Sequence, residues 1–333
     1  MPDVVTVIDT LARHADNPSA YLALNADTCH FDVPSIDGVI AYRNLGRRHI
    51  AQFGGVFAAP EDQPALLEAF LNHAREQRKS VISVQLMRSD AELYARHGFT
   101  VNQLGADYAR SLEHFSLAGK KFVPLRNKIS RAKRAGVTVG EVGVDDAAPE
   151  DLEGALAGVD RVWLRAKGRH VKPLSFMVGE LGGPGGAARR LFVARGGAGE
   201  ILAYISFSPV YGPRSGWLHD LSRKVPDAPP GVLETIVVFA VERFRAEGVD
   251  YLHFGFTPFT GLDPANEVTG RSGIVSRVVR LLADHGASVY PAADQLAYKE
   301  KWGLDTREPE YVAFQGGVTP GKVWSLLRVT NIA

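Results

Sequence analysis

Between Lys120 and Arg134 the run KKFVPLRNKISRAKR carries seven basic side chains, Lys120, Lys121, Arg126, Lys128, Arg131, Lys133 and Arg134, and no acid. The chain as a whole is close to neutral, with a formal net charge of +1, so this local excess is the feature that could meet a polyanion. A phosphate-rich partner suits it; a solvated linker helix is the plainer alternative. A second polar group, Asp220, Ser222 and Arg223, closes a strand-like run and precedes the proline-rich turn VPDAPPG. Other candidates are weaker. Cys29 is the single cysteine, so the chain has no internal disulfide and no thiolate metal set, and a lone cysteine is ordinarily an apolar filler. His219, His253 and His285 are too dispersed for a metal motif. His170 could act as a base, but it sits in the basic stretch RAKGRHVKP, where a histidine is more often solvated.

Periodicity shows the elements that must position these residues. From Ala203 the chain alternates as strand through Tyr204 and Ser206, again at Trp217 and His219, and reaches Asp220 to Arg223 as a polar loop. Leu233, Ile236, Val237, Ala240 and Phe244 then make one apolar stripe at helical period, and YLHFGF returns as strand. This order resembles the centre of an acyltransferase fold of the GNAT type. A GNAT enzyme that uses acetyl-CoA needs a glycine-alternating loop before that helix, so that bare backbone N–H groups approach the pyrophosphate. Here Pro226, Pro229 and Pro230 remove donors and Asp227 adds negative charge. The sequence argues for the fold and against its usual cofactor.

Upstream, Gly38–Tyr42 and His49–Phe57 read as a hairpin, Pro60 starts a helix with Leu66, Leu67, Phe70, Leu71 and Ala74 on one face, and Val81–Leu86 is a buried strand. DAELYARHG is a helix ending at Gly98, after which Phe99–Leu104 resumes as strand. The same element order therefore runs through residues 38–115 and 190–316, which predicts an α/β protein of mixed sheets flanked by helices, in two tandem GNAT-like folds. The expected units are 1–118, a basic connecting helix within 119–140, and 141–333 carrying the active site. Pro124 to Ala135 reads as helix with Leu125, Ile129 and Ala132 inward, and Asp145–Leu156 as an acidic surface helix. With 333 residues, 45% hydrophobic and 23% charged, composition is ordinary for a globular chain. No basic leader and no apolar run near 18 residues is found, so a soluble, cytoplasmic protein is expected.

Taken together, the basic segment, the strand ending Asp220-Leu221-Ser222-Arg223, the PDAPPG turn, HFGFTPFTGL and LAYKEKW resemble the cytosolic C-terminal domain of the phosphatidylglycerol lysyltransferase (MprF) family. The resemblance covers roughly residues 38–316. The family's Asp-Leu-Met-Arg motif falls on Asp220 to Arg223 with serine for methionine, and its Lys-Glu-Lys-Phe motif on Lys299, Glu300, Lys301 and Trp302. The resemblance implies an aminoacyltransferase that takes its acyl group from aminoacyl-tRNA and needs no cofactor. Membrane-bound family members carry a flippase domain ahead of this one, which is not expected here, so a small metabolite stands beside a lipid such as phosphatidylglycerol as acceptor.

On that reading the catalytic residues are Asp220, Arg223 and Lys301. Asp220 would hold the α-ammonium or accept the nucleophile's proton, Arg223 would bind a phosphate, and Lys301 would stabilise negative charge at the carbonyl oxygen. Substrate binding is expected from Lys299, Glu300 and His219, and from Lys128, Arg131, Lys133 and Arg134 toward tRNA phosphates. A strand through Tyr298–Trp302 would turn both lysines to one face, where Lys301 could meet Asp220. Asp220 and Arg223 could instead pair as a clamp. Two other functions compete: an acetyl-CoA-dependent N-acetyltransferase, and a non-catalytic RNA-binding or regulatory module that keeps only the basic segment.

Overall fold

The computed structural model describes residues 2–146, 151–167, 176–285 and 290–329. Among the described residues eleven strands form one sheet: β1 (Cys29–Val33), β2 (Ile36–Leu45), β3 (His49–Ala58), β4 (Ser80–Leu86), β5 (Phe99–Ser111), β6 (Thr138–Glu141), β7 (Arg190–Arg195), β8 (Ile201–Val210), β9 (Gly216–Lys224), β10 (Tyr251–Pro258) and β11 (Thr306–Gln315). Their spatial order is β1-β2-β3-β4-β11-β5-β10-β9-β8-β7-β6. The mixed α/β class expected from the sequence holds, with helices on both faces. Each half contains an antiparallel run, then a parallel pair joined through a helix: β3 to β4 through α2 (Gln63–Glu76), and β9 to β10 through α6 (Val232–Ala246). The halves share their middle strands. β11, last in the chain, lies between β4 and β5, and β5 pairs with β10.

The predicted apolar stripes turn inward, with Leu233 only partly buried. Leu66, Leu67, Phe70, Leu71 and Ala74 of α2 face the sheet, as do Ile236, Val237, Ala240 and Phe244 of α6. Phe244 packs its ring against Phe192, Phe207 and Trp217 at 5.3 to 5.8 Å, which pins α6 across β7, β8 and β9. The basic helix α4 (Val123–Arg134) has Pro124 in its first turn and buries Leu125, Ile129 and Ala132 in the same core. On the opposite face α5 (Leu152–Lys167) packs Leu156 and Val159 against Val193, Tyr204 and Leu221.

Two elements differ from expectation. The acidic helix over Asp145–Leu156 begins only at Leu152, because Asp145 and Asp146 stay in a turn and bind Arg243 and Arg195 at 2.6 to 2.8 Å. The run ending Tyr298–Trp302 is not a strand: α8 (Ala292–Glu300) continues to Glu300. AADQLAYKE consists largely of good helix formers, and Tyr298 and Trp302 turn inward four residues apart. His170 lies outside the described residues.

Candidate active site

The parallel pair β9/β10 is in register only from Gly216↔Tyr251 to Leu218↔His253 and then diverges. Two irregularities drive it apart. β10 bulges between His253 and Gly255, where Gly255 takes φ 74°, and β9 bulges against β8 so that Asp220 is the extra residue between His219 and Leu221. Asp220 and Arg223 therefore lie in a strand and not in a loop. The matching divergence of β3 and β4 in the first half is filled: the Gln52 side-chain oxygen accepts from Ser83 (2.7 Å) and Tyr94 (2.5 Å), and the Asp90 carboxylate occupies the space beside Gly55 that a Cβ would need.

On the α4/α6/α8 side the sequence residues converge. Lys301 Nζ donates to Glu234 of α6 at 2.9 Å and lies 3.5 Å from the Tyr298 ring centroid. Lys128 of α4 reaches the same carboxylate at 3.8 Å. Burial would raise the Glu234 pKa, but the charge and hydrogen bond of Lys301 overcome that and hold it below its ordinary value; burial lowers Lys301 against the same pairing. His219 is on this face too, with its ring 5.9 Å from Tyr298; burial and then the charges of Lys299 and Lys301 push its pKa down to about 3, so it is neutral. Arg131, Lys133 and Arg134 stand exposed on α4, and among the described residues no acid pairs with them. Glu300 points to solvent.

Asp220 is on the other face. Ser208 donates to its carboxylate and Arg189 Nε lies 3.6 Å away, with both side chains of that ion pair almost fully enclosed. Burial raises its pKa to about 6, against Arg189, Ser208 and the Gly179 amide. Arg189 also donates to Asn25, which ties this carboxylate to the N-terminal segment. Arg223 stacks its guanidinium 4.0 Å from the Trp163 ring centroid on α5 and sits 3.7 Å from Asp160. Three expectations are thereby corrected. Asp220 and Arg223 do not clamp one another, since the bulge turns Asp220 toward Arg189. Lys301 does not meet Asp220, because the helix carries it to the α6 face. The two lysines do not share a face by strand alternation.

Lys299 goes inward. Its Nζ donates to the carbonyls of Gly255 (2.5 Å) and Phe256 (3.1 Å), and burial lowers its pKa to about 8 against the pull of Asp107 and Glu310. Those two carboxylates are fully enclosed at the sheet centre with His253, whose Nδ1 is 3.8 Å from Asp107. Burial and the Asp107 charge push Glu310 well up. Asp107, Glu310, Glu234, Arg189 and Ser208 were not singled out from sequence. An acid inside an apolar strand run, as in EPEYVAF, or in the first turn of a buried helix, as in GVLETIVV, was the available signal. Among the described residues no three His, Cys, Asp or Glu side chains gather as a metal site.

At the start of α6, Gly231 has φ 95°, and a Cβ there would come within 2.1 Å of the Lys128 carbonyl. The α4 backbone thus covers the helix terminus that a pyrophosphate would need, which agrees with the proline-rich approach to it.

Residues 8–314 match the family described as "Phosphatidylglycerol lysyltransferase, C-terminal". The chain is 25% identical over 309 residues to a phosphatidylglycerol lysyltransferase of Bacillus subtilis (strain 168), an alignment covering 92% of this chain and 34% of that protein. It therefore spans about a third of that relative's length. Among solved structures, L-PGS from Bacillus licheniformis superposes with a TM-score of 0.77 at 21% identity, covering 99% of this chain and 97% of the other. The C-terminal domain of a protein described as a lysylphosphatidylglycerol synthetase from Agrobacterium fabrum gives 0.76 at 24% identity, covering 99% and 95%. Among the described residues no helix is long and apolar enough to cross a membrane.

Proposed function

The chain belongs to the phosphatidylglycerol lysyltransferase C-terminal family, and from that premise we propose that it transfers an aminoacyl group from aminoacyl-tRNA to a hydroxyl of a lipid such as phosphatidylglycerol, on the cytoplasmic side where charged tRNA is found. The observation that carries this reading is the exposed basic face of α4, held by its buried stripe against the start of α6 and directly beside Lys301 and Glu234. A phosphate backbone on that face brings its esterified end toward the divergence of β9 and β10. The two-unit division, 1–118 and 141–333 with α4 linking them, belongs to the same proposal.

The ester of an aminoacyl-tRNA is already activated, so the protein has to position the acceptor, stabilise charge and move one proton. The acceptor oxygen attacks the carbonyl carbon, the tetrahedral intermediate collapses, and the ribose oxygen of tRNA leaves with a proton. Lys301 stabilises the oxyanion on the α6 side, kept charged by Glu234. Asp220, titrating near pH 6 and so mostly ionised at neutral pH, accepts the acceptor's proton from the α5 side and returns it to the leaving ribose oxygen. On this proposal the reacting carbonyl sits where β9 and β10 diverge, between the face of Lys301 and the face of Asp220. Arg223, its fork held flat on Trp163, suits a phosphate of the acceptor. Incubating the protein with charged total tRNA and phosphatidylglycerol vesicles, followed by mass spectrometry of the lipids, tests the reading; unmodified lipid with a modified small molecule would move the acceptor to the metabolite class. The acetyl-CoA alternative loses support because α4 covers the pyrophosphate position.

A further inference from the structure

Helix α7 (Gly273–His285) is fixed to the sheet by a narrow edge. Ser276 and Val279 are its buried side chains; Asn102 of β5 donates to the Ser272 carbonyl (3.0 Å) and to Ser276 Oγ (2.8 Å), and Ser276 donates to Glu267 (2.6 Å). Ile274, Val278 and Leu281 recur at i, i+4 and i+7, one stripe at helical period, and they are 74%, 50% and 59% exposed. Elsewhere among the described residues, large exposed apolar side chains occur singly or as the neighbours Val323 and Trp324. Arg277 borders the stripe beside Val278, Arg271 precedes the helix, and Arg280 turns toward the buried edge, where it lies 3.8 Å from Glu267. On the side of its buried edge, where Ser276 bonds Glu267, an open cleft of ≈ 430 Å³ lies between α3 (Arg88–Arg96) and residues 267–269 and is lined by Arg88 and Arg96. Arg88 pairs there with Glu92 at 3.3 Å, whereas Arg271 and Arg277 are exposed and among the described residues no acid pairs with them.

We propose that the exposed stripe of α7, with Arg271 and Arg277 beside it, is the surface by which this protein lies on an anionic lipid bilayer. An apolar stripe bordered by arginines, on a helix too short to span, is the pattern of an interfacial helix: the stripe enters the headgroup boundary and the arginines pair with phosphates. Arginine favours this partner over an apolar protein surface, because its planar fork matches phosphate oxygens. The choice of a lipid surface as partner rests on the lipid-acceptor reading above.

The test is sedimentation of the protein with phosphatidylcholine vesicles containing about 30% phosphatidylglycerol, and with pure phosphatidylcholine vesicles. The expected result is binding to the anionic vesicles alone, weakened at least roughly tenfold by Ile274→Ser/Val278→Ser/Leu281→Ser and, separately, by Arg271→Gln/Arg277→Gln. The positions are exposed, so unchanged circular dichroism is expected; Leu281→Trp supplies a second readout, a blue shift of its emission on anionic vesicles only. No vesicle binding by the wild type, binding untouched by both variants, or a stripe that instead drives dimerisation in light scattering would overturn the proposal. Anionic-vesicle binding through α7 without any lipid product would leave it standing and remove the lipid as acceptor.

Discussion

Neutralising the exposed cations of α4 should weaken tRNA binding by an amount that can be worked out in advance. Arg131, Lys133 and Arg134 are exposed and pair with no acid among the described residues, whereas Lys128 stands 3.8 Å from Glu234 and is best left in place. Every phosphate that the protein no longer neutralises takes about 0.7 to 0.9 off the slope of log affinity against log salt, so the triple change to glutamine lowers it by roughly 2 to 3. Referred to 1 M salt, that slope corresponds to a loss of about 50- to 200-fold at about 0.15 M. Folding should survive, because surface substitutions of this kind stay within about 0.5 kcal/mol each. The assay is a filter-binding or anisotropy titration of charged tRNA from about 0.05 to 0.3 M salt, with the melting temperature as control. A slope unchanged in the triple variant would refute the reasoning and return α4 to a solvated linker.

Three further outcomes are expected. Gly231→Ala must accommodate φ 95° and a Cβ 2.1 Å from the Lys128 carbonyl, so it should cost at least about 1 to 3 kcal/mol and loosen α4; a wild-type melting temperature would contradict the packing. Asp220→Asn should abolish transfer while folding is retained, and the wild-type rate should rise with pH through about 6 as burial-raised Asp220 loses its proton; an acid limb that persists in an active Asn variant would exclude it as the base. Lys299 is depressed to about 8, so the unfolded chain binds more protons between about 8 and its ordinary value of 10.5, and stability contributed by this group rises with pH across that window. Lys299→Met should flatten the rise in denaturant titrations at successive pH values; an identical pH dependence would show that the lysine is not held as described.

How far the sequence could be read depended on whether a feature was local. The inward faces of α2, α4 and α6 were legible because an apolar stripe at helical period has one sensible use, and the proline-rich turn before α6 already argued against a pyrophosphate. The placement of β11 between β4 and β5 was not legible, since strand order is decided by pairing between segments some 200 residues apart. Tyr298–Trp302 was read as strand from two lysines around a glutamate, a spacing that a helix end satisfies equally when Tyr298 and Trp302 point inward. The bulge at Asp220, between His219 and Leu221, turned it from Arg223 toward Arg189, and no glycine or proline marks the bulge in the sequence. Glu234, the partner of Lys301, was hidden in a helix run otherwise read as apolar.

The most direct test of transfer is mass spectrometry of lipid extracted after incubating the protein with tRNA charged with labelled amino acids and with phosphatidylglycerol vesicles. Labelled aminoacyl-phosphatidylglycerol that forms with the wild type and is absent with Lys301→Ala is the predicted result. Label remaining on tRNA with folded wild-type protein, or lipid product made equally well by Lys301→Ala, would contradict the account.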